Sequence, residues 1–281
     1  MGENTKYTEI AFFGGSFTAI DRDYMLSLLN ATRNYIDKFK GIRISTRPDC
    51  INDEILEILK SYNVTSIELG AQSMDDVVLN ANNRGHSALD VIKSSKLIKK
   101  YGFSLGLQMM TGLYMSDVQK DIETAKAFIA LKPDTVRIYP TVIMKNTDLA
   151  KYYLDKTYIP YTLEQSVNLC AKLIVMFENA EIKIIRLGLH YSDSLVTNSY
   201  GDNYHPAFKE LCESKIFFDN FIGIVNKCDV DKENFKVVIN SKSLSKFLGQ
   251  KKSNYNSLLN MGYRFEIEFD DTLNKYDLYI N

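Results

Sequence analysis

The sequence predicts an α/β protein: a parallel-stranded barrel or partial barrel over residues 1–190, followed by a small α+β domain over residues 191–281. Three observations carry that reading. Short apolar runs alternate with amphipathic stretches through the first two thirds of the chain. The runs are rich in Ile, Leu, Val and Phe on both faces, as expected of strands covered by crossover helices. The pattern then breaks after Leu189 into a polar, turn-rich stretch, HYSDSLVTNSYGDNYHPAF.

In chain order, TEIAFFGG reads as a strand and Asp21 to Lys38 as a helix; GIRISTRP is a strand and Asn52 to Tyr62 a helix. SIELGAQS is a third strand, and a helix starts at Ser87, whose S-x-x-D pairing with Asp90 forms a capping box. FSLGLQMMTGL leads to a helix from Asp117 to Leu131, TVRIYPT to one from Thr162 to Asn179, and IKIIRLGL closes the series. In the second domain Pro206 suits the first turn of a helix. After it FKVVIN, SLSKFLG, SNYNSLLNMG, YRFEIEF and KYDLYI give the order β-α-α-β-β.

With 45% hydrophobic residues the 281-residue chain is not disordered. Lys+Arg 34 against Asp+Glu 35 excludes a polycation that coats nucleic acid and an acidic tail protein. No apolar run reaches the ~18 residues of a membrane span, and the opening MGENTKYTEIAFFGG lacks the basic-then-apolar order of a signal peptide. A cytoplasmic address is therefore expected. Cys50, Cys170, Cys212 and Cys228 fit no zinc or iron-sulfur spacing and read as small apolar residues.

The unusual residues gather where strands end: Gly14-Gly15-Ser16-Phe17-Thr18, Thr46-Arg47-Pro48-Asp49, Gln72-Ser73, Gln108 to Gly112 and Tyr139-Pro140-Thr141. Carboxyl strand ends hold the chemistry in a barrel and equally in a doubly wound open sheet, so this feature leaves both folds open. His86, His190 and His205 contain no i, i+4 metal-binding pair. His190 and His205 read as structural, and His86 as either structural or a substrate contact. Met109 and Met110 read as core filling on an inward strand.

AFFGGSF, STRPD, IELGAQS, NRGH, MMTGL and IYPTVIMKNTDLAKYY with YIPYTLEQSV, in that order, resemble the radical S-adenosylmethionine (SAM) enzymes, in the branch close to the Elongator catalytic subunit. The resemblance implies a TIM-like barrel, SAM as cofactor, and a four-iron cluster held by a C-x-x-x-C-x-x-C loop after the first strand. It implies radical chemistry on an unassigned substrate, with RNA or tRNA the class to test. By the same resemblance Gly14, Gly15 and Ser16 match the motif whose backbone holds the SAM amino group. Gln72 and Arg84 match the grip on its carboxylate and ribose, and Gln108 matches an acidic ribose contact. Ser45 stands where several relatives carry glutamate. The last two replacements each remove a charge-assisted hydrogen bond of ~1.5–3 kcal/mol.

No cysteine precedes Gly14. The expectation is a partial barrel lacking its first βα unit, with no metal ligands, inactive as this chain alone, its uncovered first strand inviting self-association. The about 90 residues after the barrel are expected to be too few for an acetyltransferase domain. The alternative reading is a non-catalytic adaptor that binds RNA or protein.

A second signal lies between Glu233 and Glu266, where no acidic residue occurs but Lys236, Lys242, Lys246, Lys251, Lys252 and Arg264 do. The element order there resembles a KH RNA-binding fold, whose G-x-x-G loop clamps a nucleic-acid backbone. Gly249 takes the place of the first glycine, Lys251 adds charge and Lys252 replaces the second glycine. An RNA site and a solvated basic face, balanced by Glu266, Glu268, Asp270 and Asp271, both remain open at this point.

Overall fold

The computed structural model of the chain describes residues 3–227 and 232–281. They form two compact units: Met1–Pro160, Met176–Leu189 and Asn198–Tyr200 in the first, and Tyr161–Val175, His190–Thr197 and Gly201–Asn281 in the second.

The chain runs β1 (Glu9–Phe12), α1 (Arg22–Thr32), β2 (Gly41–Thr46), α2 (Asp53–Ser61), β3 (Val64–Gln72), α3 (Asp76–Ala81), α4 (Ala88–Lys100) and β4 (Ser104–Thr111). It continues through α5 (Val118–Leu131), β5 (Thr135–Pro140), β6 (Ile143–Met144), α6 (Asp148–Leu154), α7 (Leu163–Asn179) and β7 (Lys183–Leu187). Six parallel strands in the order β1-β2-β3-β4-β5-β7 curl through 201°, a half-barrel rather than a closed ring or a doubly wound sheet. Helix starts are set locally, because the side chains of Asp21, Asn52, Asp75, Ser87, Asp117 and Thr147 each accept a hydrogen bond from a first-turn backbone N–H. The Ser87–Asp90 capping box is complete. The expected helix from Asp21 to Lys38 stops at Thr32, and Ile36–Lys38 makes a separate 3-10 turn. Neither the short α3 nor the pairing of β6 with β8 (Ser199–Tyr200) is visible in the sequence, since elements of two to six residues carry no period to read.

The strands are not apolar on both faces, which corrects the expectation above. Ile42, Ile44, Ile67, Leu69, Leu105, Leu107, Met109, Val136 and Ile138 alternate along β2 to β5 and are buried at 0 or 1% exposure. The positions between them hold Arg43, Ser45, Ser66, Glu68, Gln108 and Arg137, with Glu9 on β1. The concave face is therefore polar, and Met109 belongs to the buried apolar set rather than to the inward one. β1 is an edge strand, but it is four residues long and carries a charged Glu9 and an exposed Ala11. Such a short, charged edge is a poor template for strand pairing, so the fold does not support the expected self-association.

The second unit contains α8 (Asp193–Thr197), α9 (Phe208–Val225), β9 (Phe235–Ile239), α10 (Leu244–Leu248), α11 (Ser253–Asn260), β10 (Phe265–Phe269) and β11 (Leu278–Ile280). Its sheet runs β10-β9-β11, with β9 parallel to β10 and antiparallel to β11. Phe217, Phe221, Phe235, Val237, Ile239, Phe247 and Leu258 form its core. Cys170 and Cys212 lie buried in this unit as free thiols close to each other, a place that suits small, weakly polar side chains. Cys228 is outside the described residues.

Candidate functional site

The carboxyl ends of β1, β2 and β3 are tied into one rim. The loop after β1 carries Gly14, Gly15 and Ser16, then a 3-10 turn, Phe17–Ala19. From that turn the Thr18 hydroxyl meets the Thr46 hydroxyl at the end of β2 (2.6 Å) and the Cys50 carbonyl (2.8 Å). Arg47 follows Thr46, is clamped by both oxygens of Asp49 (2.9 and 2.6 Å) and donates to the Gly85 carbonyl (3.2 Å). Through Gly85 the rim reaches Arg84. The Arg84 Nε is buried with no hydrogen-bond partner among the described residues. Burial first, and the charge of Arg47 second, hold its guanidinium below the usual range. A buried guanidinium donor left in this way is stabilised by an anion.

Gly14 has φ +112°, a conformation side chains rarely adopt, and no atom lies within 4 Å of where its Cβ would be. Its backbone can approach a ligand from open space. Gln72 sits in the bulge that ends β3, buried with φ +65°, its amide nitrogen 2.8 Å from where a Cβ on Gly70 would stand.

On the concave face Glu68 is 1% exposed and fully engaged. Its Oε1 accepts from Arg43 Nη1 (3.1 Å) and Arg137 Nη2 (3.0 Å), and its Oε2 accepts from Gln108 Nε2 (2.9 Å) and lies 2.6 Å from Arg137 Nε. Gln108 Nε2 also donates to the Ser45 hydroxyl at 3.2 Å. Arg43 in turn pairs with Glu9 (2.8 Å), which accepts from Ser66 as well (3.0 Å). Burial would raise the Glu9 carboxyl, but the hydrogen bond and charge of Arg43 outweigh it and hold the group below the ordinary carboxylate range. Gly106 makes this network possible, since a Cβ there would come within 2.8 Å of Glu68 Cγ on one side and 3.0 Å of Thr135 Oγ1 on the other. Arg137 also places its guanidinium 5.1 Å from the ring centre of Phe13, beside the glycine loop.

The structure thus brings Ser45 and Gln108 together and places Gly14, Gly15, Ser16, Gln72 and Arg84 along one rim. Gly249, Lys251 and Lys252 lie between α10 and α11 in the second unit. Sequence reading missed Arg43, Glu68 and Arg137. Their signal was a lone charge at an alternate position in each of three apolar strands, with signs that match across β2, β3 and β5. His86 resolves to the structural reading: it is buried, with Nε2 3.0 Å from the Ala71 carbonyl and Nδ1 3.2 Å from the Arg84 carbonyl.

The Radical SAM superfamily domain matches residues 1–127, and the Radical SAM C-terminal domain matches residues 133–217. The chain belongs to the radical SAM superfamily. It is 28% identical over 241 residues to Elongator complex protein 3 of Dictyostelium discoideum, a match covering 77% of this chain and 42% of that protein. It is 29% identical to the tRNA uridine(34) acetyltransferase of Methanocaldococcus jannaschii over 60% of this chain and 35% of that one. Among solved structures, Methanocaldococcus infernus Elp3 with an N-terminal deletion aligns with a TM-score of 0.66 at 22% identity, over 74% of this chain and 53% of that one. The chain spans less than half the length of these two curated relatives.

Radical SAM membership implies SAM and a four-iron cluster. The rim fits SAM: the open Gly14 cradle and the partnerless Arg84 Nε are complementary to a ligand with a polar main chain and a carboxylate. The described residues do not fit the cluster. No group of three His, Cys, Asp or Glu side chains among them is gathered to hold a metal. Cys50 is the one cysteine at the rim among the described residues, and a single thiol does not make the set of convergent thiolates that a four-iron cluster needs.

Proposed function

We propose that this chain is a SAM-binding protein of the half-barrel type that acts on RNA, and that by itself it holds SAM without splitting it. The observation that carries the reading is the buried Arg84 Nε, without a partner among the described residues, on the rim that also bears the open Gly14 loop. When bound, SAM brings a charged ammonium, a carboxylate, a ribose diol and a sulfonium. Arg84 meets the carboxylate, with Gln72 beside it; the backbone at Gly14, Gly15 and Ser16 accepts from the ammonium; Gln108, next to Ser45, receives the ribose. Each is a binding or orienting role. The relatives named as tRNA uridine(34) acetyltransferases favour tRNA as the RNA class. The second unit supports that choice with Gly249-Gln250-Lys251-Lys252, in which both lysines are exposed. A cytoplasmic location belongs to the same proposal.

Isothermal titration calorimetry of the whole chain with SAM tests the binding claim. Saturable one-site binding is expected, weakened about ten- to a hundred-fold by Arg84→Ala, as for the removal of a hydrogen bond to a charged group. No heat of binding in the unaltered chain, or equal affinity in the variant, would overturn it.

A further inference from the structure

We infer that Glu68 is a positioning residue that fixes Gln108 as a hydrogen-bond acceptor, so that the concave face selects a ligand presenting a hydroxyl or another donor at that point. The inference rests on the reading that the rim binds SAM, whose ribose is the donor-bearing group.

An ionised carboxylate can only accept hydrogen bonds. The Gln108 group 2.9 Å from Glu68 Oε2 must therefore be its amide NH2, whichever way the side chain is drawn. The second amide hydrogen goes to the Ser45 hydroxyl. Both donors are spent on the protein, and Gln108 Oε1 receives no hydrogen bond from any described residue. Gln108 is half-buried, and its Oε1 is not among the enclosed side-chain oxygens left without a partner, so it keeps access to the concavity. Glu68 cannot turn away to release it. Arg43 and Arg137 hold both of its oxygens, Gly106 leaves the space it fills, and it is 1% exposed. In a carboxylate's place at position 108 the chain thus presents a neutral acceptor whose direction is set from the neighbouring strand. With Glu68 neutralised to an amide, its nitrogen end becomes a donor and the Gln108 amide loses its reason to keep one orientation.

Two measurements on the full chain test this. In the first, calorimetry compares SAM with its 2′,3′-dideoxy analogue in the unaltered chain, Glu68→Gln and Gln108→Leu. The unaltered chain should prefer SAM about ten-fold, the worth of a hydrogen bond or two. Both variants should bring that preference close to one, whatever their absolute affinity for the analogue. An unchanged preference in Glu68→Gln overturns the inference, as does a lack of preference in the unaltered chain. In the second, NMR follows the Gln108 side-chain amide protons without any ligand. They should be downfield and protected from exchange, and should lose both properties in Glu68→Gln, while backbone resonances remote from the Arg43–Glu68–Arg137 network keep their positions. Freely exchanging protons in the unaltered chain contradict the positioning even if SAM binds. Protected protons with no SAM binding would leave the positioning standing and defeat the binding reading alone.

Discussion

Single side chains set the local energetics, and several in the second unit can be tested by unfolding. Gly249 ends α10 with φ +77°, and a Cβ there would lie 2.6 Å from Ser253 Oγ and 2.9 Å from the Asn254 backbone nitrogen. Gly249→Ala should cost about 1–3 kcal/mol in urea unfolding followed by circular dichroism. Lys252 already holds a left-handed φ of +60°, which costs an L-residue about 1–2 kcal/mol. Lys252→Gly should therefore be neutral or stabilising by up to about 1 kcal/mol, the glycine's greater unfolded-chain entropy taking back part of the gain. Glu213 is buried; burial alone would raise its carboxyl, but the Lys275 hydrogen bond and charge (3.0 Å), Lys246 (3.3 Å) and the Tyr276 hydroxyl (2.9 Å) prevail and lower it. Its folded pKa thus lies below the unfolded value near 4.5, so its stabilisation is complete above that pH and is lost as pH falls toward the folded value. Stability measured from pH 5 downward should decline by at most about 1.4 kcal/mol per pH unit through this carboxyl, and Glu213→Gln should flatten that part of the profile.

At the level of elements, what was legible in the sequence is what neighbours in sequence decide. The start of α4 is an example: Ser87 accepts from the Asp90 backbone N–H while the Asp90 carboxylate accepts from the Ser87 N–H, three residues apart and visible as S-x-x-D. Ser87→Ala should lower stability by about 1 kcal/mol in thermal unfolding, with Ser87→Asp nearer the original. The rim glycines were equally readable, because Gly-Gly directly after an apolar run marks a turn or a close approach. Glu68 was not. Its partners Arg43, Gln108 and Arg137 come from three other strands, and only the parallel register, with Ser45 beside Glu68 and Gln108 beside Arg137, brings them together. An isolated charge in a strand such as IELG looks like a flaw until its neighbours are known. The same blindness made the strands look apolar on both faces.

Across the whole molecule the charge is nearly balanced, so any attraction to RNA must be local. For the proposed RNA contact, the ion pairs of the second unit leave few candidates. Lys236 is paired with Glu268 (2.5 Å), Lys246 with Glu213, and Arg264 donates to the carbonyls of Leu259 and Tyr263. Lys251 and Lys252 are the exposed pair left between α10 and α11. If they meet two phosphates, Lys251→Glu with Lys252→Glu should weaken tRNA binding. The double variant should also reduce the slope of log affinity against log salt by roughly 0.9 for each phosphate it no longer neutralises. A gel-shift series from low to moderate salt reads both; an unchanged slope removes these lysines from the interface. No helix among the described residues is long and apolar enough to cross a membrane. A SAM site on the half-barrel rim is met most directly by crystallising the chain with SAM. Density is expected for the methionyl carboxylate against Arg84 and for the ammonium against the Gly14–Ser16 backbone; a rim empty at saturating SAM, or SAM bound elsewhere with Arg84 untouched, would contradict it.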